Sequence, residues 1–167
     1  MPILLRGIEG IKAYAGFNLG KSSWVEVTKD MIHGFASATD DRDWISVDEE
    51  RAAQGPFGGA IAQSYLVLSL TIPLLSDIYL LEDIGLGLQG GINRLRFLAP
   101  VPVNSSIRLD VTLKSVEELG QGIQAVLECV MECDASRQPA FEAEIVCRFW
   151  PSTLTSMEAV CTCGSAE

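Results

Sequence analysis

Polar and apolar residues alternate through much of the second half of the chain. In SIRLDVTLKSV, Ile107, Leu109, Val111 and Leu113 alternate with Arg108, Asp110, Thr112 and Lys114. A period of two sends one set to each face of a pleated strand, so this stretch reads as a half-buried strand with one wet face. After the turn residues EELGQG, IQAVLECVMEC reads as a second long strand with weaker alternation. FEAEIVCRFW alternates again and puts Phe141, Ala143, Ile145, Cys147 and Phe149 on one face. QGGINRLRFLAPVPV supplies a further strand, ended by Pro100 and Pro102, which have no N–H to give to a ladder. Within it Leu95 and Phe97 alternate with Arg94 and Arg96, which assigns the arginines to the wet face. Long strands joined by short turns imply an antiparallel sheet.

The first half has a different period. SSWVEVT, from Ser22, reads as a short strand. Thr28 caps the helix that follows, with Lys29 and Asp30 in its first turn and Ile32, Phe35 and Ala36 on its apolar face. Asp48 starts a short helix in DEERAA, and PFGG reads as a turn. From about Gly59 to Leu75 the residues are apolar almost all round. A helix of that kind is wrapped by other structure, and Pro73 predicts a kink or an early end. A sheet with one apolar face must cover it, and the buried helix is the available cover. The fold class is therefore α+β, a curved antiparallel sheet wrapped around a long central apolar helix. One domain is expected over residues 1–150, with 151–167 as a poorly ordered tail.

Composition narrows the partners. The 167 residues are 48% hydrophobic and 20% charged, as in a folded globular chain, and the formal net charge is −10. An acidic surface disfavours nucleic acid, although Arg94 and Arg96 leave room for an anionic ligand at one place. The run from Ala52 to Ser76 carries no charge, but Gly55, Pro56, Gly58, Gly59, Gln63, Ser64 and Pro73 interrupt it, which argues against a membrane span. MPILLRGIEGIKAYAG lacks a signal-peptide pattern, and a cytoplasmic location is expected. The five cysteines are odd in number, which argues against a disulfide framework. Cys161 and Cys163 form a single CxC in a chain with one His, so no metal site is expected.

FASATDDRDWISVDEERAAQGPFGGAIAQSYLVLSL and INRLRFLAPVPVNSSIRL, in that order, resemble the MaoC-like dehydratases, or R-specific enoyl-CoA hydratases, of the hot dog fold. The resemblance runs from about Leu19 to Trp150. It implies a dimer whose sheets join edge to edge, with sites near the subunit interface. It also implies an enzyme that adds water across the double bond of an acyl thioester, or removes it. The family's motif has an Asp and, five residues on, a His, which activate the water and shuttle protons. A backbone N–H at the start of the long helix polarises the thioester carbonyl. That chemistry is physically coherent, because hydration builds enolate charge on the carbonyl oxygen and a fixed N–H stabilises it.

Carried over by position, the family's Asp is Asp41 and its His is Ser46, while the Gly before the Asp is Asp40. The His-Gly pair at the long helix is Gln63-Ser64. The resemblance thus implies Asp41 and Ser46 as the catalytic pair, and Phe57, Gly58, Gly59, Gln63 and Ser64 as residues around the substrate. Each also has a structural reading. Asp41 can cap a turn, and Ser46 can be a satisfied loop residue. Gln63 can offer its amide in place of a ring N–H or bond structurally, and His33 can sit on a helix surface.

Two functions follow. One is a hydratase or dehydratase of an acyl-CoA or acyl-carrier-protein thioester, without its imidazole and without a cofactor beyond the CoA or phosphopantetheine of the substrate. The other is a non-catalytic thioester binder, or a subunit that pairs with a His-bearing partner. A hot dog thioesterase or tailoring enzyme is a third possibility, since fold alone does not choose among thioester chemistries. A homodimer or heterodimer is expected.

Overall fold

The structure is a computed structural model and describes residues 1–154. Residues 155–167, with Cys161 and Cys163, lie outside it.

The main sheet is built from β2 (Asn18–Lys21), β3 (Val25–Glu26), β5 (Ile84–Phe97), β6 (Ser106–Leu119), β7 (Gly122–Cys133) and β8 (Phe141–Pro151). Its order is β2-β6-β7-β8-β5, all antiparallel, with β3 continuing the β2 edge along β6. The alternation in the sequence becomes the pleat: Ile107, Leu109, Val111 and Leu113 of β6 are buried, as are Phe141, Ala143, Ile145, Cys147 and Phe149 of β8. β7 alternates more strictly than its sequence indicated, with every second residue from Ile123 to Cys133 buried. These side chains line the concave face and pack on Leu66, Val67, Leu74, Leu75 and Ile78 from the helical rod. Each Leu, Ile, Val or Phe among them contributes about 1.5–3 kcal/mol by leaving water.

The rod has different bounds from those expected. It starts at Ser64, not near Gly59, and reaches Ile78 as α5 (Ser64–Ser69) and α6 (Thr71–Ile78). Two bonds carry it through the junction, Leu70 N–H to the Leu66 carbonyl (3.1 Å) and Leu74 N–H to the Leu70 carbonyl (3.3 Å). Pro73 explains the break, since it has no N–H for the Ser69 carbonyl four residues back. Ser69 adds to it by donating its hydroxyl to the Tyr65 carbonyl (2.7 Å). The chain from Ala60 to Ala62 is extended because its backbone bonds to Val101 and Val103 instead.

Several elements were not legible in the sequence. β1 (Ile3–Arg6) and β4 (Tyr79–Glu82) form a separate parallel pair, and α1 (Gly7–Lys12) follows β1. Leu5 and Ile11 from this segment are buried against the core. The expected strand from Ser22 shrinks to the two residues of β3. The turn after β6 is only Gly120 and Gln121, with Gly120 at φ 59°. α2 (Lys29–Thr39) is as expected: the Thr28 hydroxyl accepts the Met31 N–H, and Ile32 and Ala36 are buried. No helix among the described residues is long and apolar enough to cross a membrane.

β5 is an edge strand. Leu88, Ile92 and Phe97 on it are exposed, as are Tyr65, Ile72 and Leu80.

Gly122 opens β7 beside the end of β8. A Cβ there would meet the Phe149 carbonyl and the Trp150 ring. Gly122→Ala is expected to destabilise by about 1–3 kcal/mol. Gly34→Ala, in α2 with open space around it, is expected to stabilise by up to about 1 kcal/mol. Thermal melts of the two variants check this, and equal melting points would overturn the packing argument.

Candidate active site

The acidic loop is anchored residue by residue. α2 ends at Asp40 in the left-handed conformation (φ 60°), which turns the chain sharply out of the helix. The Thr39 hydroxyl donates to the Phe35 carbonyl (2.7 Å) and accepts the Asp41 N–H (3.3 Å). Asp40 pairs with Arg42 at 2.8 Å in solvent. The turn that follows is capped by Asp43, whose carboxylate accepts the Ile45 N–H (3.4 Å) at the start of α3 (Trp44–Val47). The capping role open to Asp41 is thus filled two residues later. Asp41 is half-buried, and its carboxylate has no hydrogen-bond or ion-pair partner among the described residues.

Ser46 lies on α3 and is 4% exposed. α4 (Glu49–Ala53) follows, capped by Asp48 through the Arg51 N–H (3.1 Å). The Arg51 guanidinium lies 4.2 Å over the Trp44 ring, a cation–π contact. Lys29 on α2 reaches Glu49 at 2.6 Å. The loop is therefore held to the helices on either side of it. Trp44 and Arg51 were missed from sequence; the tryptophan directly after Asp43 was the available signal.

One backbone bond joins this loop to the start of the rod. The Ile61 N–H donates to the Ile45 carbonyl (3.1 Å), next to Ser46. Two residues on, Gln63 is 6% exposed and precedes α5 without capping it. Its Nε2 donates to the Ile32 carbonyl (3.0 Å), so its amide N–H serves structure, and its Oε1 is buried without a partner. Ser64, the first residue of α5, lines a cleft of about 210 Å³ with Ile61, Ala62 and Val67. The opposite wall is the segment 97–101, which leaves the sheet after Phe97.

The structure therefore puts Ser64 in the cleft and Gln63 behind it. Phe57 is 54% exposed on its turn, and neither it nor Gly58 and Gly59 line the cleft. Asp41 and Ser46 are on the adjoining loop rather than in the cleft wall. His33 is exposed on α2. Cys129, Cys133 and Cys147 are buried and free. Burial pushes the Cys129 thiol up to about 12 and Cys147 up to about 11. Neither is a thiolate near neutrality, so neither is a ready nucleophile. Among the described residues no group of three or more His, Cys, Asp or Glu side chains could hold a metal ion.

Comparison with known proteins places this geometry in context. The family described as MaoC like domain matches residues 12–131. The chain is 41% identical over 143 residues to 3-hydroxyacyl-thioester dehydratase Z of Mycobacterium tuberculosis, covering 85% of this chain and 95% of that protein. Its fold is similar to that of the monoamine oxidase regulatory protein from Archaeoglobus fulgius, with a TM-score of 0.73 and 21% identity, covering 92% of this chain and 99% of that one. It is also similar to the C-terminally truncated HadBC (3R-hydroxyacyl-ACP dehydratase) complex of Mycobacterium tuberculosis. There the TM-score is 0.64 and the identity 18%, covering 81% of this chain and 96% of that one.

Asp40 holds a left-handed conformation that costs a side chain about 1–2 kcal/mol in general, and less for Asp. Glycine carries no such penalty but has more chain entropy to lose. The exposed pair to Arg42 is worth little. Asp40→Gly is therefore expected to stabilise by about 0.5–1 kcal/mol, which chemical denaturation measures. A loss of stability would show that the Asp side chain itself holds the turn.

Proposed function

The chain belongs to the MaoC-like dehydratase family, and from that premise we propose that it is an acyl-thioester hydratase or dehydratase whose site keeps the acid and lacks the imidazole. The reading rests on the Ile61–Ile45 bond, which holds the loop bearing Asp41 and Ser46 against the start of α5. In hydration, water attacks C3 of the enoyl thioester. The C2–C3 π pair moves toward the thioester oxygen, where the Ser64 N–H stabilises the developing charge. Asp41 takes a proton from the water and returns one to C2, and the Ser46 hydroxyl holds the water. Dehydration runs the same steps backwards. The cleft beside Ser64 takes part of the thioester, either acyl-CoA or an acyl carrier protein. CoA or phosphopantetheine belongs to the substrate, and no separate cofactor is required.

A second reading is favoured by Ser46 itself. A serine hydroxyl does not titrate near neutrality and is a poor proton shuttle. A chain with this site can serve as a thioester-binding subunit beside a partner that supplies the His. The fold is shared with the HadBC complex, an assembly of unlike subunits.

Two tests follow. Native turnover of a simple enoyl-CoA is expected to be low, and Ser46→His is expected to raise it, since a positioned general acid/base typically contributes about 100- to 10,000-fold. Asp41→Asn should abolish the gain. A native protein that is already fast and indifferent to Asp41→Asn would sink the assignment.

The second test concerns assembly. The open edge of β5 with its exposed Leu88 and Ile92 is a surface that natural proteins cover. Sedimentation at micromolar concentration should give a species of twice 18.1 kDa, and Ile92→Lys should shift it toward the monomer. A single 18.1 kDa species for the unaltered chain would refute the dimer.

A further inference from the structure

The cleft beside Ser64 is small and apolar. Its volume is about 210 Å³, and Ser64 supplies the only polar side chain among the described residues of its wall. Pantetheine carries amide groups, which such a wall would leave without side-chain partners, and burying an unpaired amide is costly. A hydrocarbon chain meets no such penalty. At about 30 Å³ for each non-hydrogen atom, the share of a water molecule in the liquid, the cleft holds roughly seven such atoms, or an acyl group of about six carbons.

More space lies further along the rod. A cavity of about 340 Å³ sits between Leu68, Thr71 and Ile72 of the rod and residues 89–92 of β5. It shares Ile72 and Gln89 with a further cavity of about 300 Å³. On the concave face of β5, Phe97 belongs to the wall of the cleft and Ile92 to the wall of the larger cavity. Leu95 stands between them on the same face and belongs to neither wall. It is half-buried against the core. Its register partner on β8 is Ala143, whose methyl group is too short to fill the place of a leucine. Phe97 is held on both sides, edge-on to Tyr65 with ring centroids 6.1 Å apart and to Phe141 at 6.3 Å.

We propose that the cleft takes the acyl end of the thioester and that Leu95 is the stop that sets its length, so that the protein selects acyl groups of about six carbons or fewer. This rests on the thioester reading above. The way past Leu95 runs beneath β5, between the sheet and the rod, and does not cross the strand's open edge. It is therefore compatible with a second copy pairing along that edge.

The test is calorimetry on the full chain with butyryl-, hexanoyl-, octanoyl- and dodecanoyl-CoA. In the unaltered protein, affinity should rise by about fourfold per CH₂ up to hexanoyl and then level off or fall. In Leu95→Ala the rise should continue, favouring dodecanoyl-CoA over butyryl-CoA by on the order of 100-fold more than in the unaltered protein. Leu95→Phe fills more of the passage and should move the break down towards butyryl. Thermal melts confirm folding. A variant that is merely loosened weakens binding at every length and leaves the break where it was.

A rise that continues to dodecanoyl in the unaltered protein, or a break that neither substitution moves, overturns the proposal and leaves the thioester reading standing. Straight-chain alcohols from butanol to dodecanol form a second arm, because they need the cleft but no thioester. If the alcohols show the break and its shift in Leu95→Ala while no thioester binds, the stop stands and the thioester reading fails. If neither series binds, both fail.

Discussion

The concave face of the antiparallel sheet is the constraint on which the rest of the molecule depends. Fifteen buried side chains on β6, β7 and β8 present one continuous apolar surface, and water must be kept from it. The rod from Ser64 to Ile78 does this over the middle. Leu5 and Ile11 do it at the side where the N-terminal segment docks. Because the rod must lie in the groove, the residues before it have to enter from one end of the sheet. There they meet the loop that carries Asp41 and Ser46. The position of the candidate site follows from the direction in which the rod is threaded.

The local chemistry is then set by small commitments. Gln63 donates one amide N–H to the Ile32 carbonyl and so ties α2 to the start of the rod. Asp43 takes the capping bond and leaves the Asp41 carboxylate without a partner among the described residues. That leaves a half-buried carboxylate clear of structural duty. Ser46, by contrast, is buried on a single turn of helix, where a serine can hold a water but has no proton to exchange near neutrality.

The sheet was legible because its pattern is a direct image of burial. Ile107 to Leu113 alternate in the chain and alternate in the structure. The cap at Thr28 was legible for the same kind of reason, since a hydroxyl before a helical pattern has one obvious bond to make. The rod's start was not. Gly59 to Ala62 are as apolar as a helix, but their backbone bonds go to Val101 and Val103, which no local pattern announces. Nor did anything local announce β1 and β4, whose four-residue strands become strands only because each finds the other. For the site, the order of Asp41 and Ser46 could be read off the chain, whereas the Ile45–Ile61 bond and the cleft wall at 97–101 join segments far apart in sequence.

The pairing of β1 with β4 has a consequence for the order of assembly. Arg6 and Glu82 are 76 residues apart. The ends of β6 and β7 are separated by only Gly120 and Gln121. Closing a long loop costs more chain entropy than closing a short one, and non-local contacts are correspondingly slow to form. The β6–β7 hairpin is thus placed to act early and to offer the surface on which the rod condenses. The first strand has no partner until the rod is down and Tyr79 to Glu82 are in position. Folding of this chain should therefore finish where its sequence begins, with Leu5 as one of the last side chains to leave water.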